Sequence, residues 1–113
     1  MEFKMSSEVN SNNIVITTHE KVLDGSNADA FLSTALKITK TNTGNVIINL
    51  ENTPDVDSAG VSKLMRLKTC IGVYGKSLVI CNIGSDKSKD NDNAWIFKDI
   101  LEIHKDLESA LTA

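Results

Sequence analysis

The run Val46-Ile47-Ile48-Asn49-Leu50-Glu51-Asn52-Thr53-Pro54-Asp55-Val56-Asp57-Ser58-Ala59-Gly60-Val61 decides how this chain folds. It starts as a nearly continuous apolar segment, the pattern of a strand covered on both faces. Pro54 keeps the segment after it out of regular pairing, and a helix opens at Asp57 or Ser58. From Ser58 to about Tyr74, the residues Val61, Leu64, Met65, Leu67, Cys70 and Ile71 form a wide apolar stripe. Gly75 ends that helix, because glycine enters the left-handed conformation cheaply. Leu78-Val79-Ile80-Cys81 is then a second buried-strand run. Strand, helix and strand in this order argue for α/β layering around a partly parallel sheet with right-handed crossovers.

Upstream, Phe3 and Met5 alternate with Glu2, Lys4 and Ser6, which predicts a short strand. Asn10-Ser11-Asn12-Asn13 is a turn cluster. Ile14-Val15-Ile16-Thr17-Thr18 is β-branched throughout, and Val22-Leu23 extends the same strand. The two strands read as an antiparallel hairpin. Ser26 precedes Asp29 by three residues, a capping-box-like helix start. Ala28, Phe31, Leu32, Ala35 and Ile38 follow at helical spacing, and Gly44 is the expected stop.

Downstream, Gly84 to Asn93 carries no apolar side chain. Asp86-x-Ser88-x-Asp90-x-Asp92 faintly resembles a calcium loop, but Asn91 stands where the turn needs glycine and Phe97 where a bidentate glutamate belongs. A solvated loop is the expectation. Trp95-Ile96-Phe97 restarts the apolar signal, Ile100 to Ile103 reads as an edge strand, and Asp106 caps a closing helix with Leu107, Ala110 and Leu111. The expected order is β-β-α-β-α-β, a polar stretch, then β-α.

Composition narrows the function classes. The 113 residues carry 12 Lys plus Arg and 15 Asp plus Glu, a formal charge of −3. That balance argues against nucleic-acid binding, which rests on basic patches. Apolar residues at 41% suffice for one core, and with aromatics at 4% that core is aliphatic. Cys70 and Cys81 read as small hydrophobes and not as a disulfide framework. No run approaches a membrane span and the N-terminus has no signal layout, so a cytoplasmic protein without membrane insertion is expected. There is no Walker loop or G-x-G-x-x-G, so no nucleotide cofactor is expected, and since the calcium-loop pattern fails, no metal is expected either.

The chemistry converges on Ser58. A hydroxyl at a helix start caps a backbone N–H, worth about 1 kcal/mol, or accepts a phosphoryl group whose charge the open N–H groups and the helix dipole favour. Either Asp57 or Ser58 can provide the cap. A hydrolase reading is weak. The sequence pairs neither His19 nor His104 with Ser58, and Val56-Asp57-Ser58-Ala59-Gly60 lacks the first glycine of a nucleophile elbow.

At these residues the chain resembles the STAS domains of bacterial anti-sigma factor antagonists. Val46 to Glu51 followed by Asp57-Ser58-Ala59-Gly60 resembles the family's strand and D-S-[SA]-G phosphorylation motif. Leu23-Asp24 ahead of Asn27-Ala28 resembles its acidic position, Gly75 to Ile80 its strand entry, and Asp106 to Leu111 its closing helix. The resemblance implies one STAS domain over residues 1–113, with a mixed four- to five-stranded sheet and helices packed on it. It implies a regulator of transcription by partner switching, without catalysis of its own. Its partners would be an anti-sigma factor of the GHKL serine kinase type, which phosphorylates Ser58, and a PP2C-type phosphatase that reverses the modification. Asp24, Asp57, Ser58, Ala59 and Gly60 would form the partner-binding surface. The alternative is a STAS subunit of another signalling or lipid-transport assembly in which Ser58 is not phosphorylated. The chain departs from the family pattern at Lys21, where glycine is usual, at Ser62-Lys63 in the first helical turn, and in the polar stretch where the family has its third helix.

Overall fold

The computed structural model describes residues 3–10, 12–41, 44–82, 102–104 and 107–111. The elements are β1 (Met5–Asn10), β2 (Asn13–Thr18), β3 (Val22–Leu23), α1 (Ala28–Lys40), β4 (Asn45–Asn49), β5 (Asp55–Val56), α2 (Ser58–Gly72), β6 (Leu78–Cys81), β7 (Glu102–His104) and α3 (Leu107–Leu111). Five strands form one mixed sheet in the order β1-β2-β4-β6-β7. β1 pairs antiparallel with β2 as the hairpin pattern requires, and the other pairings are parallel.

The side-chain alternation of β2, β4 and β6 explains the layers. Ile14, Ile16, Val46, Ile48, Leu78 and Ile80 face α1 and α2 in the main core. Val15, Ile47, Val79 and Cys81 face the other way and are covered by Ala110, Leu107 and Leu111 of α3. Both faces being covered is why these strands read as unbroken apolar runs. α1 contributes Ala28, Phe31 and Ala35, and α2 contributes Val61, Leu64, Leu67 and Ile71. Phe31 meets Phe3 edge-on at a centroid distance of 5.4 Å, anchoring the N-terminal segment beneath α1. Cys81 is fully buried as expected, whereas Cys70 is half-buried.

Several expectations need correction. The first strand begins at Met5, two residues later than the alternation suggests, and extends to Asn10. Val22-Leu23 does not extend β2. It forms a separate parallel pair with Asp55-Val56, so pairing resumes directly after Pro54. Proline removes only its own donor, and the bonds here come from Asp55 N–H to the Lys21 carbonyl and Asp57 N–H to the Leu23 carbonyl. Ser26 does not start α1: Asn27 holds the cap position and makes no side-chain cap bond. Gly44, at φ +112°, lies beyond the end of α1; a methyl group there would meet the Asn12 carbonyl oxygen. Gly75 does stop α2, with Lys76 N–H bonded back to the Ile71 carbonyl in a Schellman-type turn. The readings of Gly84 to Asn93, Trp95 to Phe97 and the Asp106 cap lie outside the described residues.

A buried polar chain fixes the loop between β4 and β5. Thr18 and Thr53 are both fully buried, and their hydroxyls bond each other. Thr53 Oγ1 donates to the Glu20 carbonyl at 2.6 Å, and Thr53 N–H bonds the Leu50 carbonyl. The loop cannot lift away without exposing or orphaning these groups. Thr53→Val takes the hydroxyl donor from the Glu20 carbonyl and leaves the Thr18 hydroxyl only its longer bond to the Asn49 carbonyl at 3.4 Å, and is expected to lower unfolding free energy by about 1–3 kcal/mol in urea titration.

Candidate functional site

The site is built where α2 leaves the short β3–β5 pair. Asp57 is extended, at φ −96° and ψ −173°, and its Oδ1 accepts the Gly60 N–H at 3.0 Å. Its carbonyl accepts the Val61 N–H at 3.0 Å. Asp57 is therefore the cap, which settles the choice the sequence left open. Ser58 is the first residue of α2 and is exposed. Among the described residues its hydroxyl has no hydrogen-bond partner. The N–H groups of Ser58 and Ala59 lie in the first helical turn, where no preceding carbonyl can reach them.

Gly60 fixes the distance between this helix and β3. A Cβ on Gly60 would lie 2.5 Å from the Leu23 carbonyl oxygen, 2.9 Å from Leu23 Cγ and 3.0 Å from a Val56 methyl. Two of these are closer than real Cβ atoms come, so only glycine fits. The same Leu23 carbonyl accepts the Asp57 N–H at 3.2 Å. The close approach brings the residue after Leu23, Asp24, to the mouth of the site. Gly25 lies against Ala59, its ideal Cβ position being 3.9 Å from the Ala59 Cβ.

Asp24 is held by its own loop. Its Oδ1 accepts the Ser26 hydroxyl at 2.5 Å and the Ser26 N–H at 2.9 Å. Asn27 Oδ1 in turn accepts the Asp24 N–H at 2.9 Å, and Asn27 Nδ2 donates to the Val22 carbonyl at 2.8 Å. The Ser26 hydroxyl bond, with smaller help from the Ser26 backbone, keeps the Asp24 carboxyl below the ordinary carboxylate range, against a slight opposing effect of burial. Ser26, read as a helix cap, thus orients Asp24 instead. Asp29, read with it as a capping box, pairs with Lys63 of α2 at 2.6 Å, tying the two helices near their starts. Lys63, a departure from the family pattern, has this role.

The structure thus places Asp24, Asp57, Ser58, Ala59 and Gly60 around one helix start. Sequence reading missed the Leu23 carbonyl as their common anchor. The one local signal is Gly60 itself, a glycine inside the first turn of a helix, where a close backbone approach is one reason for it. Among the described residues neither histidine meets Ser58. Asn52 Nδ2 donates to His19 Nδ1 at 3.4 Å, leaving Nε2 to donate to Ser6 Oγ at 2.8 Å, and His104 meets Glu102 at 2.9 Å. Among the described residues no group of three or more His, Cys, Asp or Glu side chains is arranged to hold a metal, and no helix is long and apolar enough to cross a membrane.

Gly60→Ala must push α2 away from β3 and is expected to cost about 1–3 kcal/mol by chemical denaturation. Asp57→Ala removes the cap and should cost about 1 kcal/mol, whereas Ser58→Ala should stay within about 0.5 kcal/mol of wild type. Differential stability of these variants checks the division of labour at the helix start.

The STAS domain family model matches residues 4–110. No curated protein matches the chain by sequence. Solved structures are similar in fold. A candidate anti-sigma factor antagonist, TM1081 of Thermotoga maritima, superposes with TM-score 0.73 at 13% identity over 96% of this chain and 92% of that one. The unphosphorylated anti-sigma factor antagonist SpoIIAA gives 0.67 at 15% identity over 97% and 94%. The murine anion transporter Solute Carrier 26 family member A9 gives 0.73 at 17% identity, with 93% of this chain covering 18% of the transporter. At such identities the likeness is one of fold.

Proposed function

The chain belongs to the STAS domain family, and on that premise we propose that it is an anti-sigma factor antagonist switched off by phosphorylation of Ser58. Its partner is an anti-sigma factor of the GHKL serine kinase type, which the unmodified chain binds through Asp24, Asp57, Ser58, Ala59 and Gly60. A PP2C-type phosphatase restores the unmodified form. The protein regulates transcription in a bacterial cytoplasm through that partner, as a single STAS domain over residues 1–113, and catalyses nothing itself. The observation that carries this reading is the division of roles at α2. Asp57 takes the capping bond to Gly60 N–H, so the exposed Ser58 hydroxyl is available as an acceptor.

The electrostatics favour a switch by local charge. A phosphoryl group at Ser58 adds about −1.5 to −2 charges beside the Asp57 carboxylate and the Asp24 loop. A partner surface that accepts a neutral hydroxyl must then desolvate a dianion. Within the chain, the positive end of α2 offsets part of that cost.

The transporter likeness favours a second reading, a STAS subunit of a transport or signalling assembly in which Ser58 stays unmodified. In that reading the chain corresponds to the 18% of the transporter that it covers.

Purified GHKL-type serine kinases from the same cell, each incubated with the protein and ATP, separate the readings by intact mass. Wild type should gain one phosphoryl group and Ser58→Ala none, and Ser58→Asp should bind the active kinase at least about tenfold more weakly. No gain with any of these kinases, or an equal gain in Ser58→Ala, would overturn the phosphorylation switch.

A further inference from the structure

We propose that the outer edge of β1 joins the same edge of a second copy, extending the five-stranded sheet across a two-fold axis at Ser7. Among the described residues β1 ends the sheet, and β2 is its partner strand on one side. The direction of its hydrogen bonds follows from the register. Met5 stands opposite Thr18, and His19 N–H donates to the Lys4 carbonyl at 2.9 Å. Lys4 is thus in a hydrogen-bonded position, as are Ser6, Glu8 and Asn10 by alternation. The N–H and C=O groups of Met5, Ser7 and Val9 therefore point away from β2. These three residues give the six-residue strand an open edge of the kind that recruits another strand.

An antiparallel pairing centred on Ser7 uses all three of these residues. Ser7 meets Ser7 of the second copy, and Met5 meets Val9 in both directions. The side chains agree with that register. Val9 is 64% exposed, unusual for a valine, while Met5 at the other end of the strand packs partly against the main core. They lie on the same face of the sheet, so each exposed Val9 would be covered by the other copy's Met5. On the opposite face Lys4 and Glu8 would lie diagonally across the seam, within reach of long side chains of opposite charge. An edge protected against self-pairing carries like charges or proline. This edge carries one charge of each sign, spaced so that a two-fold brings them together. The occupant that this pattern fits is therefore another copy of the chain. α2 packs chiefly against α1, with smaller contacts to β5 and β6, and the seam uses none of the residues at the start of α2.

Sedimentation equilibrium of the full chain at tens of micromolar tests this. Wild type should run at about twice the 12.3 kDa of the monomer. Ser7→Pro removes an outward donor without touching the β2 ladder, so it should be monomeric with unchanged circular dichroism. Lys4→Glu should weaken dimerisation about tenfold, and adding Glu8→Lys to it should restore the affinity. A wild type that stays monomeric into the hundreds of micromolar, or a charge swap that restores nothing, would overturn the proposal. The charge swap decides the matter even if Ser7→Pro does not fold. Neither outcome bears on Ser58 phosphorylation.

Discussion

The Leu23 carbonyl oxygen is the point on which this structure turns. It accepts the Asp57 N–H and leaves room for no side chain at Gly60. Two short strands of two residues each cannot hold a helix by ladder bonds alone. What makes the β3–β5 pair stiff is that both of its ends are fixed elsewhere. Thr53 is anchored to Thr18 and Glu20 just before β5, and Asp24 to Ser26 and Asn27 just after β3. Leu23 and Val56 between them are buried in the main core. The helix start inherits its position from these anchors.

What could be read from the sequence follows from how much of each element is encoded locally. β4 and β6 are apolar on both faces, so their runs declare a covered strand without help from context. The stripes of α1 and α2 do the same at helical spacing. β3 and β5 escaped because a two-residue strand has no periodicity, and their pairing is between segments 33 residues apart. Proline also misled, since the donor it removes is its own, and the pairing here runs through the Asp55 and Asp57 N–H groups. The Ser26 reading failed for a related reason. Serine, aspartate and asparagine compete for the same few backbone donors ahead of a helix. Here Asp24 accepts the Ser26 hydroxyl while Asn27 bonds backward to Asp24 and Val22, which no local pattern distinguishes from a cap.

The candidate site was more legible than the framework under it. Asp57, Ser58 and Gly60 are consecutive or nearly so, and any helix beginning there gathers them. Asp24 is different. Its arrival beside them depends on the parallel register Leu23 with Val56, a tertiary fact. Sequence placed it by resemblance, and the structure supplies the physical cause in the close packing of Gly60 on Leu23.

These anchors also bear on how a modification at Ser58 would be transmitted. Among the described residues none of the contacts that position α2 passes through the Ser58 hydroxyl. The cap belongs to Asp57, the close approach to Gly60, and the interhelix tie to Lys63 and Asp29. A phosphoryl group would therefore be added to a frame that does not need the atom it modifies. Its charge would share the positive helix end with the Asp57 carboxylate, and the N–H groups of Ser58 and Ala59 are the ones Asp57 leaves unused. Charge at this surface can then change by about two units while the backbone beneath it stays in place. A partner would read the difference as electrostatics and shape at the helix start, and no rearrangement of the sheet is required.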